Sequence, residues 1–344
     1  MWKYVDFLPL KDPSNILTLG EGDTPVCELR PNLYLKLEQL NPSGSYKDRF
    51  ASSAVSCMLE QGKKICLATS SGNTGSALAA YCARAGIPCE VFLIETTPAG
   101  KTVQMLAYGS TLKRVRGFGM SAEVTEQVMN LLRERAAQQG AALQISAFTY
   151  SPDGMQGVKS IAYELVDSLG KIDDVFVPVG GGGLLTAIFR GFSDFLEAGR
   201  IRRLPRIHAV QPEGCATVTE PLHRGELKAV AVQCTSMISG LQVPSLIDAQ
   251  DALEAVQTTQ GTGQTLSDSA IYTAQRDLVQ QGIYCEPAGA TAYAGYVQAL
   301  QRGVLSTSKR CVCVVTGHGF KDLDSVERIG STSQIEEIDL QDLL

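Results

Sequence analysis

The sequence predicts an α/β fold with mainly parallel, twisted sheets flanked by helices. The first observation behind this prediction is alternation: short apolar runs with strand character are separated by longer stretches with helical periodicity. The strand-like runs are 64–68, 91–94, 175–179, 207–210 and 311–315. The helix-like stretches are 77–85, 122–139, 158–169, 184–195 and 268–281. Such alternation indicates βα units, whose helices cover both faces of a parallel sheet.

The second observation is the bulk composition. The 344 residues are 44% hydrophobic and 19% charged, as in a globular protein large enough for two domains. The net charge of −6 disfavours a nucleic-acid partner, because proteins bind nucleic acids through basic surfaces. No apolar run has the length of a membrane span, and residues 1–6 do not resemble a signal peptide. We therefore expect a cytoplasmic protein without a nucleic-acid or membrane partner.

The chain has ten cysteines and three histidines, but it has no C-x-x-C pair and no cluster of histidines. Structural zinc sites usually show such spacing. We therefore predict no metal site and interpret most of the cysteines as small, buried, reduced residues.

Parallel folds bind ligands where strands end and helices begin, and three such turns are rich in glycine and hydroxyl groups. The first is TSSGNTG at 69–75, which offers free backbone amides at a positive helix end. The hydroxyls of Ser70, Ser71 and Thr74 add donors that suit a carboxylate or a phosphate. The same turn is also compatible with a purely structural role as a helix cap.

The second turn is a run of four glycines, Gly180, Gly181, Gly182 and Gly183, after the apolar run 175–179. Four consecutive glycines are entropically costly, but they let several backbone amides approach a phosphate closely. The run lacks the last glycine of the dinucleotide fingerprint G-x-G-x-x-G. We therefore expect a phosphate monoester at this turn.

The third turn, VTGHG at 315–319, places Thr316 at the end of the last strong strand, although a simple tight turn would read the same way. Lys47 lies in NPSGSYKDRF at 41–50, between a Gly/Ser turn and an amphipathic segment. A lysine amine, a phosphate site, a carboxylate site and a lone hydroxyl together suggest pyridoxal phosphate. In that interpretation the lysine attaches the cofactor as a Schiff base.

Five motifs resemble those of the fold-type II pyridoxal-phosphate enzymes, the tryptophan synthase β family, and they occur in the same order. They read NPSGSYKDR, SSGNTGSALAAYCARAGI, VPVGGGG, GIYCEPAGATAYAG and TGHGFKD. Within that family, LGEGDTPV at 19–26, GKTVQMLAYGS at 100–110 and TGHGFKD at 316–322 most resemble threonine synthase. The resemblance covers roughly residues 17–325 and implies a small amino-acid substrate.

The resemblance also implies roles for the cofactor-binding residues. Lys47 would form the Schiff base and later move the Cα proton, and Asn73 would hydrogen-bond the pyridine O3′. Gly180 to Gly183 would cradle the phosphate. Thr316 would face the pyridine nitrogen, where a neutral hydroxyl makes a weaker electron sink than an aspartate and suits elimination or replacement at Cβ or Cγ.

On the substrate side, the resemblance implies that Ser70, Ser71, Gly72 and Thr74 bind the α-carboxylate. Glu286 lies near the expected edge of the cofactor, where packing and catalysis are both open. The resemblance further implies a larger cofactor domain of residues 1–51 and 145–325, a smaller mobile substrate domain of residues 52–144, and a homodimer. Residues 326–344 form an acidic C-terminal tail.

The sequence departs from threonine synthases at the substrate end. We expect an arginine in SPDGMQGVKS at 151–160 for the phosphate of O-phosphohomoserine, but Asp153 and Gly154 stand there. Lys159 offers only a point charge, which recognises phosphate less well than a bidentate guanidinium. The glycine loop also differs, since threonine synthases typically carry G-N-A-G-N and serine/threonine dehydratases more often carry GGGG.

Three interpretations therefore stay open. The first is a threonine-synthase-like lyase that performs elimination or replacement on an activated amino acid. The second is a serine/threonine dehydratase, or an enzyme such as cysteine or cysteate synthase that replaces the activated hydroxyl of serine. The third is a catalytically silent protein with this fold that serves regulation or assembly.

Overall fold

The computed structural model of the chain describes residues 1–70, 72–95, 97, 102–119, 121–138, 140–331, 335–339 and 341. Its strands are β1 (Val26–Arg30), β2 (Leu33–Leu37), β3 (Ile65–Thr69), β4 (Cys89–Leu93), β5 (Thr111–Arg114), β6 (Ala141–Gln144), β7 (Asp174–Pro178), β8 (Arg206–Pro212), β9 (Gly263–Leu266) and β10 (Cys311–Val315). Its helices are α1 (Lys47–Glu60), α2 (Asn73–Ala85), α3 (Val103–Ala107), α4 (Ala122–Gln138), α5 (Pro152–Val158), α6 (Ser160–Leu169), α7 (Gly183–Glu197), α8 (Thr219–His223), α9 (Ala249–Thr258), α10 (Asp268–Gln280), α11 (Pro287–Gln301) and α12 (Leu323–Gly330).

The strands form two sheets. The larger sheet has the order β1-β2-β10-β7-β8-β9, and the smaller sheet has the order β5-β4-β3-β6. All strand pairs are parallel except the hairpin of β1 and β2. The predicted α/β class with mainly parallel sheets is therefore confirmed. The strands of the smaller sheet lie within the predicted substrate domain, 52–144.

The larger sheet is covered by helices on both faces, as the alternation of elements predicts. Val312 and Val314 of β10 pack into the apolar cluster that contains α6, α7 and α9. Cys311 and Cys313 face the opposite side, in the cluster that contains α10 and α11. All five residues of β10 are buried, and each fully buried valine contributes about 1.5–3 kcal/mol. This central strand therefore holds the following turn, which begins at Thr316, in place.

Each predicted strand and helix has a counterpart in the structure, and most ends agree within two residues. The main difference among the helices is α2, which begins at Asn73 instead of residue 77 because Gly72 serves as its N-cap. The hairpin of β1 and β2 is missing from the prediction because β1 is an edge strand without a buried face. Among the described helices, none is both long and apolar enough to cross a bilayer.

Helix α1 is anchored by a cluster of buried charges, which we call the Arg49 cluster and which contains Lys36, Glu38, Arg49 and Glu164. The Arg49 guanidinium donates to both oxygens of Glu38 at 2.7 and 2.8 Å. It also donates to both oxygens of Glu164 at 2.6 Å each, and Lys36 donates to Glu164 at 2.6 Å. Two cations thus balance two anions, which is the condition under which charges are tolerated in a core.

Candidate active site

A cavity of about 270 Å³ lies where the carboxyl ends of strands from both sheets meet. The turns that follow β3 and β6 of the smaller sheet line it, together with the turns that follow β7 and β10 of the larger sheet. This is the position at which parallel α/β folds bind ligands. Loops that follow strands of both sheets therefore form the walls of the cavity.

Lys47 enters the cavity from the first turn of α1. The preceding turn is tied to the end of β10, because the backbone N–H of Tyr46 donates to the carbonyl of Thr316 at 3.0 Å. The Lys47 Nζ donates to Ser146 Oγ at 2.7 Å and lies 4.4 Å from the centre of the Tyr46 ring. The amine is thus held at a defined point on the cavity wall.

Burial lowers the pKa of Lys47 to about 7, although the nearby carboxylates of Asp248 and Glu286 oppose that shift. Both carboxylates accept hydrogen bonds from residues other than Lys47. Asp248 accepts from the backbone amides of Phe148 and Thr149, and Glu286 accepts from Asn73 at 2.7 Å. Since the neutral amine is the nucleophile and the proton acceptor, a pKa near neutrality makes this lysine chemically available.

The four glycines form the turn between β7 and α7, and all four line the cavity. Gly182 has φ of +100° and caps α7, and a Cβ there would lie 2.3 Å from the carbonyl oxygen of Asp248. A Cβ on Gly180 would lie 2.9 Å from the carbonyl oxygen of Gly240. Glycine is therefore required at these positions by sterics, and the result is a cradle of backbone amides at a helix N-terminus.

The turn between β3 and α2 forms the opposite wall. The Ser70 hydroxyl accepts from the amides of Gly72 and Gly75, at 3.1 and 2.9 Å, so it shapes the turn besides bordering the cavity. The Thr74 hydroxyl lies 2.9 Å from Ser146 Oγ. Ser71, which the sequence assigns to the same carboxylate site, lies outside the described residues.

Thr316 follows β10 and is 5% exposed. It borders the cavity together with Glu286, the N-cap of α11. A Cβ on Gly317 would lie 2.1 Å from Glu286 Oε1, so a larger residue there would displace the Glu286 carboxylate. The predicted residues thus meet at one cavity: Lys47, Ser70, Gly72, Asn73, Thr74, Gly180, Gly181, Gly182, Gly183 and Thr316.

The structure corrects one expectation about the substrate end. Lys159, considered above as a substitute for a phosphate-binding arginine, is not among the cavity residues and forms an ion pair with Asp194 at 2.6 Å. Gly154 packs against Phe50, since a Cβ there would lie 2.5 Å from that ring. Among the described residues that line the cavity, Lys47 is the one cation and there is no arginine. The segment 151–160 therefore supports α1 and gives the cavity no positive charge.

Sequence reasoning missed two residues of the site. Ser146 follows the short strand β6, so the rule that ligand sites lie at carboxyl ends of parallel strands would have indicated it once that strand was recognised. Asp248 is the N-cap residue of α9 and does not itself line the cavity, so its local sequence indicates a helix start and no site. It reaches the site because its amide donates to the Gly181 carbonyl at 2.8 Å.

Three of the cysteines, which show no informative spacing, lie together in the core below the smaller sheet. The sulfur atoms of Cys66, Cys82 and Cys89 are within 4.8 Å of one another. Contacts with the other two thiols, and then burial, raise the pKa of Cys66 well above its usual value. Hydrogen bonds from Cys66 and Cys82, in turn, lower the pKa of Cys89 to about 4, so the three thiols act on one another, and the absence of a metal site stays a prediction.

The described geometry agrees with what comparisons with known proteins find. The family profile described as "Pyridoxal-phosphate dependent enzyme" matches residues 17–317. The threonine synthase of Methanocaldococcus jannaschii is 33% identical over 341 residues, 95% of this chain and 82% of that protein. The threonine synthase of Mycobacterium tuberculosis is 33% identical over 334 residues, 94% of this chain and 88% of that protein.

Solved structures agree in fold. The processed form of threonine deaminase isoform 2 from Solanum lycopersicum superposes with a TM-score of 0.75 at 21% identity, covering 97% of this chain and 93% of that one. Maize serine racemase superposes with a TM-score of 0.74 at 22% identity, covering 90% and 92%. These two likenesses are evidence for the shared architecture alone.

Proposed function

The chain belongs to the pyridoxal-phosphate dependent enzymes, and from that premise we propose that it is a threonine-synthase-like lyase acting on an activated amino acid. The reaction is elimination or replacement at Cβ or Cγ, with O-phosphohomoserine as the first candidate substrate and threonine and phosphate as the products. One observation carries the proposal. The amine of Lys47, the glycine turn and the Ser70–Thr74 turn line a single cavity of about 270 Å³.

The residues of the cavity fit the cofactor. The turn of Gly180 to Gly183 leaves its amides free of side chains at the start of α7, as a phosphate monoester requires. Opposite it stands an amine of lowered pKa, suited to covalent attachment of the aldehyde. When bound, pyridoxal phosphate acts as the electron sink that makes the amino-acid Cα acidic.

Lys47 has two roles in this proposal. Its amine attaches the cofactor at rest, and once substrate has displaced it, the same amine takes and returns the proton at Cα. A pKa of about 7 suits both roles, because an amine can then gain and lose a proton near neutral pH. Asp248 and Glu286 limit how far the pKa falls.

The remaining residues bind and orient. Thr316 at the end of β10 offers a neutral hydroxyl to the pyridine nitrogen. Asn73 is oriented by its 2.7 Å hydrogen bond to Glu286 and is assigned to the cofactor O3′. Ser70, Ser71, Gly72 and Thr74 are assigned to the substrate carboxylate at the N-terminus of α2.

A second candidate function rests on the charge of the cavity. The described lining residues include no arginine, and a buried phosphate leaving group usually has a bidentate guanidinium partner. A substituent that carries no charge in the substrate, such as the hydroxyl of serine or threonine or the acetyl ester of O-acetylserine, needs no such partner. The GGGG turn points in the same direction. Gly100 and Lys101 of the GKTVQMLAYGS motif lie outside the described residues.

The resemblance to threonine synthases also supports three statements about the protein as a whole. Residues 52–144, with Ser70 to Thr74 among them, form a mobile domain that closes over the substrate and excludes water. The protein is a cytoplasmic homodimer. It works in amino-acid biosynthesis.

The test is a substrate panel with purified protein and added pyridoxal phosphate. O-phosphohomoserine is assayed for phosphate and threonine, and serine and threonine are assayed for ammonia and 2-oxo acid. O-acetylserine and O-phosphoserine are assayed for loss of the activating group. We expect phosphate and threonine from O-phosphohomoserine, and no product from the Lys47→Ala variant with any substrate.

The other outcomes are equally informative. Ammonia and 2-oxo acid without phosphate release would establish the dehydratase instead. Turnover of O-acetylserine or O-phosphoserine alone would establish a β-replacement enzyme. Protein that binds the cofactor and turns over none of the five compounds would contradict the proposal and favour the silent interpretation.

A further inference from the structure

The amine of Lys47 has a hydrogen-bond partner that the roles above leave unexplained. Among the described residues, Ser146 is the side chain to which Nζ donates, at 2.7 Å. The two nearby carboxylates act on Nζ through charge alone, since Asp248 accepts from the 148–149 segment and Glu286 from Asn73. Ser146 is therefore the group that sets the direction of the amine.

The hydroxyl of Ser146 also contacts the wall of the cavity that the turn between β3 and α2 forms. A hydroxyl has one proton and two lone pairs, so Ser146 Oγ can accept from Lys47 and still donate to Thr74 Oγ1, 2.9 Å away. Thr74 belongs to the first turn of α2 and to the turn assigned to the substrate carboxylate. A chain of three polar groups thus joins the reacting amine to the substrate turn.

The segment that carries Ser146 is fixed from two sides. The Ser151 hydroxyl accepts from the amide of Ile145 at 3.0 Å, and Asp248 accepts from the amides of Phe148 and Thr149 at 2.7 and 3.1 Å. A side chain that must hold a reacting group in place needs such support from its own backbone. The hydroxyl of Ser146 is thus preorganised.

We propose that Ser146 is a positioning residue whose hydroxyl holds the free amine of Lys47 beside the substrate turn when that amine is not attached to the cofactor. The inference rests on the proposed function for its place in the reaction. It assigns a role to a serine in the crossover between the two sheets, outside the motifs that carry the family resemblance.

The proposal predicts the direction of a pH effect. An acceptor hydroxyl stabilises the charged ammonium, so its loss makes the neutral amine more favourable and moves the titration of Lys47 to lower pH. The charged and titratable groups that face the amine are Asp248, Glu286 and the Tyr46 phenol, and none of them is changed by a substitution at 146. A hydrogen bond to a charged group corresponds to a shift of roughly one pH unit.

The experiment uses the full chain, freed of cofactor, and measures the rate of covalent capture of pyridoxal phosphate as a function of pH. Capture requires the neutral amine, so the acid limb of the profile reports the titration of Lys47. We expect the limb of the wild type near pH 7 and that of Ser146→Ala roughly one unit lower. Labelling by trinitrobenzenesulfonate, resolved to the Lys47 peptide by mass spectrometry, gives an independent profile without the cofactor.

Two control variants separate positioning from a structural effect. Ser146→Thr keeps the hydroxyl and should return the limb toward the wild type. Ser53→Ala removes a buried hydroxyl from α1, the helix that carries Lys47, where it donates to the Asp153 carbonyl away from the cavity, and its limb should coincide with the wild type even if the protein is less stable. Should Ser146→Ala fail to fold, Ser146→Cys, with a weakly accepting thiol, should show the same acid shift.

An unchanged limb in Ser146→Ala, or a limb at higher pH, would overturn the inference. Failure of the proposed function would look different. Protein that captures the cofactor with the expected shift and turns over no substrate would contradict the lyase assignment and leave the role of Ser146 intact.

Discussion

Two cations lie two residues apart on α1, and their surroundings differ: Arg49 is fully buried, whereas Lys47 is half-buried and borders the cavity. Arg49 is enclosed by Glu38 and Glu164, each bound through both oxygens. Lys47 faces a cavity in which one hydroxyl accepts its hydrogen bond and both carboxylates are engaged elsewhere. Burial alone would lower both pKa values, but the carboxylates raise that of Arg49 and leave that of Lys47 at about 7.

The difference shows how one helix serves structure and chemistry together. The Arg49 cluster is electrically balanced and permanently charged, so it holds α1 against the β2 and α6 segments whatever the pH near neutrality. The positive charge of Lys47 is only partly balanced by the nearby carboxylates, so its amine can change protonation state during a reaction. A lysine with the partners of Arg49 would be too firmly protonated to act as a nucleophile.

The largest expected effect comes from removing the reactive member of the comparison. Lys47→Ala should lose covalent cofactor and reduce turnover by about 10³-fold or more, while its free energy of unfolding stays at the wild-type value or above it, since an incompletely paired buried charge is removed. The measurements are mass spectrometry after borohydride reduction and urea unfolding without cofactor. Full turnover in this variant would contradict the proposal that Lys47 is the reactive residue.

The opposite pattern is expected for the structural member. Arg49→Met leaves Glu38 and Glu164 buried without their main partner, which should lower the free energy of unfolding by about 3–5 kcal/mol. The folded fraction should still capture pyridoxal phosphate with the wild-type pH profile, because the side chain at position 49 does not border the cavity. Urea unfolding and the capture assay check the two parts.

A matched control for the Arg49 cluster is the exposed pair of Lys3 and Asp23, whose atoms are 2.6 Å apart with side chains 50% and 63% exposed. Lys3→Met should change the free energy of unfolding by only about 0–1 kcal/mol, since water and salt screen such pairs. If Arg49→Met cost no more than Lys3→Met, burial would not be the source of the cluster's strength.

An expected effect that depends on pH concerns Asp48, which lies between the two cations in the sequence. Burial raises the pKa of Asp48 to about 7, although hydrogen bonds from the hydroxyl and amide of Ser43 to Oδ2 oppose that increase. The other oxygen, Oδ1, has no hydrogen-bond partner among the described residues. The folded state then holds a proton that the unfolded state releases near pH 4. The associated stability is complete below that pH and is lost as pH rises through about 7.

Asp48→Asn should remove this dependence, because an amide stays neutral. The variant should gain stability over the wild type between pH 5 and pH 8, by roughly 2–3 kcal/mol, as measured by urea unfolding of both proteins at each pH. Comparison within the pair cancels the contribution of Lys47, which changes in the opposite direction. A constant difference between the two proteins would mean that Asp48 is ionised throughout.

Much of the architecture and the cofactor side of the cavity follow from local pattern. The apolar runs at 175–179 and 311–315 are buried strands because continuous apolar runs rich in valine suit the interior of a parallel sheet, and both are followed by predicted site residues. The turn at Gly182 requires its positive φ, so a glycine there marks the turn in the sequence. Such features are readable because each depends on neighbours along the chain.

The substrate side was harder to predict. Asp153 and Gly154 stand where a phosphate-binding arginine is expected, and Lys159 in the same segment forms an ion pair with Asp194 on α7, because helix packing decides which face of the α5–α6 junction meets the cavity. Ser146, Asp248 and Glu286 come from three distant segments and meet only when both sheets are folded. Neither the spacing of these three residues in the sequence nor the composition around them indicates that they lie close together.

The sequence by itself determined the alternation of strands and helices and the three glycine-bearing turns, because hydrophobic period and backbone sterics act over a few residues. Tertiary structure alone decided which charges surround each cation of α1, and therefore that the amine of Lys47 can lose its proton near neutral pH. Electrostatic energy depends on distance and burial in space, and residues 47 and 49 acquire opposite environments only through segments that lie as much as two hundred residues away, as Asp248 does from Lys47.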